Sequence, residues 1–257
     1  MAPSLSYARA LLTHWGVPVE DISTSQKQEP DFLATFGGVR VLIEEKTKED
    51  DPDYLALRAS ELDRGQVHGT SLPLVRDETL SGLVRDASHQ LRSSSDRPHD
   101  FRLMWFTATG VQAVAKYEQF MATLYGRTNI LEMNASEYRR CYYFRYSDFF
   151  RRADVIDGAV VARTDGQALH AKLCLNSLSV RYAALRSSPV VAPFGNAVED
   201  PLELEAAGKA FVLDSDLDRK DEQPLLMYLQ NKYATRPLMK FDLGDLSASV
   251  LVPKDEP

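Results

Sequence analysis

The apolar positions fall into blocks whose period changes along the chain. Leu5, Ala8, Leu11, Leu12 and Trp15 recur at helical spacing over residues 5–16, and Gly16 with Pro18 closes that run. A short strand is expected at 17–22. Two extended runs, 31–36 (DFLATF) and 39–46 (VRVLIEEK), flank Gly37-Gly38, which predicts a β-hairpin. A helix is expected at 54–62, followed by a loop marked by Gly65, Gly69 and Pro73. Leu80, Leu83, Val84, Ala87 and Leu91 make one face of an amphipathic helix over 77–92. Residues 101–109 are almost continuously apolar, as in a strand covered on both faces, and a helix is expected at 111–125. Two strands should flank Thr164-Asp165-Gly166 within 154–173, with a helix at 177–186. The prolines and glycine of 188–201 predict a loop or linker. A helix near 224–233 and a strand near 248–252 complete an α/β pattern without internal repeats.

The hairpin carries the chemistry. A symmetric loop at Gly37-Gly38 pairs Phe36 with Val39, Leu33 with Leu42 and Asp31 with Glu44. Directly opposed residues have Cβ atoms about 4.5–5.5 Å apart, so this register sets two carboxylates side by side. Alternation places Phe32, Ala34, Phe36, Val39, Val41 and Ile43 on one apolar side. The other side carries Asp31, Leu33, Thr35, Arg40, Leu42, Glu44 and Lys46, and is expected to be a mixed, cleft-like face. Glu45 points the other way. Opposed like charges are destabilising, and a divalent cation would offset them. Mg²⁺ is commonly held by one or two carboxylates while keeping several waters. A lysine on the same face can orient a water or steady charge on a phosphate. The plain alternative is that Asp31 and Glu44 are solvated ends of an edge hairpin.

Pro30-Asp31, twelve intervening residues, then Glu44-Glu45-Lys46 resemble the signature of the PD-(D/E)XK nuclease superfamily. The resemblance covers about residues 5–110. It implies a restriction-endonuclease-like core, a mixed β-sheet flanked by helices, over about 1–125. Residues 126–257, a C-terminal α+β extension, would extend that core or form a subdomain. It also implies Mg²⁺- or Mn²⁺-dependent hydrolysis of nucleic acid, usually DNA. Asp31 and Glu44 would ligate metal with the backbone carbonyl of Glu45. Lys46 would position the attacking water, and Gln90 matches a polar residue that many members carry on the following helix. Many members also have a Glu on the first helix. Here 5–16 has no acid, and Glu20 follows it. The rival reading is a catalytically silent nucleic-acid-binding or protein-interaction module on the same fold. A homodimer is left open, since nucleases that cut both strands often work as dimers.

Composition constrains this picture. Of 257 residues, 44% are hydrophobic and 26% charged, which excludes wholesale disorder. The net charge of −7 argues against a histone-like coating of nucleic acid, though not against a local basic patch. The best such patch is Tyr138–Arg152, where Arg139, Arg140, Arg145, Arg151 and Arg152 stand among seven aromatics with Asp148 as the one acid. Arginine forks bind phosphates and rings stack on bases, although arginines on a half-buried strand and helix would look alike. Lys48 shares the face of Lys46. His14, His68, His89, His99 and His170 lack metal-ligand spacing. No P-loop, dinucleotide fingerprint or GxSxG is present. No run of about 18 apolar residues predicts a membrane span, and the N-terminus does not read as a signal peptide. Cys141 and Cys174 read as buried, reduced thiols of a cytoplasmic protein.

Overall fold

The computed structural model describes residues 6–22, 29–94, 97–164, 166–241 and 246–252. Leu5 of the expected first helix and Asp165 of an expected turn lie outside them. Helix α1 (Tyr7–His14) starts at Ser6, whose hydroxyl accepts from the Arg9 amide, and buries Ala8 and Leu12. Strands β1 (Val19–Asp21), β2 (Phe32–Phe36) and β3 (Val39–Lys48) follow. Gly37 and Gly38 stand at φ of 55° and 91°, the left-handed pair that a tight two-residue hairpin requires. The register is the expected one, with Phe36 facing Val39 and Leu33 facing Leu42.

Helix α2 (Pro52–Asp63) and strand β4 (His68–Pro73) lead to α3 (Glu78–Ser93). Asp77 caps α3 by accepting from the Leu80 amide at 2.9 Å, and the predicted stripe of Leu80, Val84, Ala87 and Leu91 is buried. Strand β5 (Phe101–Ala108), helix α4 (Ala113–Tyr125), strands β6 (Thr128–Glu132) and β7 (Tyr138–Tyr142), and helix α5 (Asp148–Arg151) come next. Then follow β8 (Gly158–Thr164), β9 (Leu169–Leu175), α6 (Tyr182–Arg186), β10 (Val198–Glu199), α7 (Pro201–Ala206), β11 (Ala210–Val212), α8 (Glu222–Tyr233), β12 (Leu238–Lys240) and β13 (Leu246–Leu251).

Among the described residues the main sheet has the order β1-β2-β3-β5-β8-β9-β10. Strands β3, β5 and β8 are parallel, as are β9 and β10, whereas β2 runs antiparallel to β1 and β3 and β9 antiparallel to β8, so the sheet is mixed. Helices α3 and α4 cover one face, and α1 with the segment around Leu185–Phe194 covers the other. The fold is therefore α/β, with helices flanking mixed sheets. A second sheet, β11-β7-β6-β12, shares a core with Leu225 and Leu229 of α8. Residues beyond 125 thus do two things: β8, β9 and β10 extend the main sheet, and the other strands to β12 build the second one.

Several expectations change. The loop expected at 65–73 is largely strand β4, because it pairs with β13 from the far end of the chain. The helix expected at 177–186 shrinks to Tyr182–Arg186. Buried Asp157 draws the Ser179 hydroxyl and the Arg181 guanidinium into a turn instead. The linker expected at 188–201 carries Val190 and Phe194 into the core and adds β10 to the sheet. The hairpin's second face is not an open cleft throughout. Leu33 and Leu42 are buried there beneath α3, because the β3–α3–β5 crossover lays a helix on it. Past Leu42 that face turns polar at Glu44 and Lys46.

Candidate functional site

Glu44 lies opposite Met104 of β5, and its side chain is 1% exposed. Lys46, two residues along, shares the face. Its Nζ donates to Glu44 Oε1 at 2.5 Å and to Gln90 Oε1 at 2.8 Å. Gln90 comes from α3, and its Nε2 donates to the Glu29 carbonyl at 3.4 Å. One hydrogen-bonded chain thus joins the centre of β3, the exposed end of α3 and the segment that enters β2. Of this chain, the sequence pointed to Glu44, Lys46 and Gln90. Only the Glu29 carbonyl was missed, since a backbone acceptor leaves no mark on residue type.

Asp31 stands at the mouth of the hairpin. Its amide donates to the Ile43 carbonyl at 3.1 Å, and its Oδ2 accepts from the Glu45 amide at 2.8 Å. These two bonds pin the carboxylate against β3 beside Glu44. Burial pushes the Glu44 carboxyl up most strongly. The hydrogen bond from Lys46 opposes that rise, while the Asp31 charge adds to it and Asp31 accepts from the protonated form. The balance lifts Glu44 from 4.5 to about 7.

When Glu44 is ionised, its buried Oε2 has no hydrogen-bond donor. A buried carboxylate oxygen with no donor, next to a second carboxylate, is unfavourable. An oxygen-seeking cation relieves both problems. Among the described residues no group of three or more His, Cys, Asp or Glu side chains is gathered. The available set is therefore two carboxylates and nearby backbone, which fits Mg²⁺ or Mn²⁺, since Mg²⁺ is commonly held by one or two carboxylates and keeps several waters.

Glu45 is engaged elsewhere. Its Oε1 accepts from the Ala8 amide at 2.9 Å and its Oε2 from the Ser6 hydroxyl at 2.5 Å, at the start of α1. A carboxylate there complements the helix dipole. The side chain faces away from Glu44, as alternation predicts, so only its backbone carbonyl is left for a ligand role. The acid that α1 lacks is not replaced by Glu20, which is exposed on β1 opposite Leu33. Lys48 is half-buried further along the Lys46 face. His68 is buried against Glu61, with 2.6 Å between Nδ1 and Oε2, away from the hairpin.

The five arginines do not form one surface. Arg139 stacks over Phe211 at 3.9 Å and pairs with Glu132 at 3.1 Å. Arg140 is half-buried on β7. Arg152 donates to the Ser88 hydroxyl at 3.0 Å, beside the buried Asp148. Arg145 and Arg151 alone of the five line a common pocket. Cys141 and Cys174 are free and buried, and burial raises both thiols. No described helix is long and apolar enough to cross a membrane. No protein-family model matches the chain, and no curated protein and no solved structure matches it.

Proposed function

We propose that this protein is a divalent-metal-dependent nuclease that hydrolyses phosphodiester bonds of DNA. The observation that carries the reading is the unpartnered, buried Oε2 of Glu44 beside Asp31, with Lys46 bonded to the other oxygen. Asp31 and Glu44 would hold Mg²⁺ or Mn²⁺ together with the Glu45 carbonyl. When bound, such an ion supplies Lewis acidity toward a phosphoryl oxygen and lowers the pKa of its water. Lys46 is 24% exposed, so its ammonium can meet a water or a phosphate oxygen while staying tethered to Glu44 and Gln90. Gln90 fixes the lysine's direction from α3. Asp31, held by the Glu45 amide, keeps its place without help from a ligand.

The test is cleavage of plasmid and oligonucleotide DNA with Mg²⁺ or Mn²⁺, and with chelator. Cleavage should require metal and disappear in Glu44→Ala and Lys46→Ala. Activity that survives both substitutions would count against this site. A wild-type protein that binds DNA but cleaves neither DNA nor RNA would be the silent binding module.

A further inference from the structure

A second feature lies beside α5. Helix α5 and the loop between β11 and α8 enclose a pocket of about 150 Å³. Tyr146 and Phe150 line it and are 38% and 53% exposed. Arg151 lies over the Tyr146 ring at 5.1 Å, and among the described residues no carboxylate is within ion-pair distance of it. Arg219 on the other wall is held by the carbonyls of Tyr143, Ser215 and Leu217, so that wall is rigid. One further observation points to a ligand: Ser215 Oγ is buried in the lining without a hydrogen-bond partner.

These walls suit a flat ring with polar edges and an anionic tail. The aromatic faces offer stacking. Ser215 and the rim carboxylates of Asp216 and Asp218 offer partners for a ring's amino and imino groups. Arg151, in the same lining, offers a cation. Arg85, His89 and Arg92 form one exposed stripe on α3 at i, i+4 and i+7. Asp86 and Asp154 pair with the two arginines there, but exposed pairs of this kind hold little energy.

We propose that this pocket takes one unstacked base of the substrate DNA strand, its ring against Phe150 and Tyr146 and its phosphate on Arg151. This rests on the nuclease reading for the identity of the ligand and adds a subsite to it. It makes the bound strand single-stranded, or locally opened, where it crosses α5.

The test is metal-free anisotropy with a fluorescein-labelled single-stranded DNA oligonucleotide, beside its duplex and the matching RNA. Phe150→Ala and Arg151→Ala should each weaken single-strand binding about tenfold, within the range measured for base–aromatic stacking. Phe150→Trp should restore it, and Arg139→Ala should leave it unchanged. Both test residues are exposed, so folding should survive, as circular dichroism will show. Equal binding by wild type and both alanine variants overturns the pocket, and the nuclease reading stands if metal-dependent cleavage persists. Binding that falls in both variants while no cleavage is found supports the pocket and sinks the nuclease. Tighter binding to duplex or to RNA than to single-stranded DNA overturns it, as does no binding by wild type.

Discussion

Glu44 and Glu45 are neighbours of one residue type on one strand, yet they live on opposite faces of β3 under opposite conditions. Glu45 has a hydrogen-bond donor for each oxygen, both from the start of α1. Glu44 has Lys46 on one oxygen, nothing on the other, and an anion beside it. A satisfied carboxylate holds a fold together. An unsatisfied, buried one is paid for by the rest of the fold and is available for chemistry. On the proposed nuclease reading, the contrast separates a structural acid from a catalytic one.

The largest expected effect is on activity. Glu44→Ala and Lys46→Ala should each lower metal-dependent cleavage by about a hundredfold or more, while Glu45→Gln should leave it within about threefold. Oligonucleotide cleavage rates at saturating Mg²⁺ check this. Should Glu45→Gln be the damaging change, the assignment of the two faces is reversed.

The next effect is on stability and has the opposite pattern. Glu45→Ala removes the anionic partner of the Ala8 amide and the Ser6 hydroxyl. It should cost about 1–2 kcal/mol, as loss of a helix cap does. Thermal melting should show a Tm lower by about 2–8 °C for a chain of this size.

Dependent on pH is the response of the metal-free protein to Glu44→Gln. The folded-state pKa of Glu44 is raised from 4.5 to about 7. Its contribution to stability is therefore complete below about pH 4.5 and lost as pH climbs past about 7. Glutamine keeps an acceptor for Lys46 and cannot ionise. Melting in chelator should show Glu44→Gln gaining on wild type across that window. A variant that loses ground to wild type as pH rises would contradict the burial of an uncompensated charge.

Smallest of all is Asp21→Asn. It removes the exposed Arg9–Asp21 pair near α1 and should shift stability by no more than about 0.5 kcal/mol.

The sequence made the hairpin legible because its determinants are local. Twin glycines dictate the turn, the turn dictates the register, and period two sorts Glu44 and Lys46 from Glu45. The α3 stripe was legible for the same reason, and it brought Gln90 to the right flank. The pairing of β4 with β13 was not, since half of that sheet lies near the other end of the chain. Short strands such as β10 and β11 carry no periodicity of their own and exist only through their partners. The destination of the Glu45 side chain depends on where α1 docks, which no local pattern records. The arginine-rich stretch scatters for a related reason. Adjacent positions on β7 and α5 diverge in space, and Arg139 and Arg152 are engaged inside the protein while Arg151 is not.

The most direct test is an anomalous-difference map from a crystal soaked in Mn²⁺. A peak between the carboxylates of Asp31 and Glu44, within about 2.0–2.3 Å of an oxygen from each, is the expected result. A peak at the Glu45 carboxylate, or none at the hairpin at full Mn²⁺ occupancy elsewhere, would contradict the metal site and the nuclease with it.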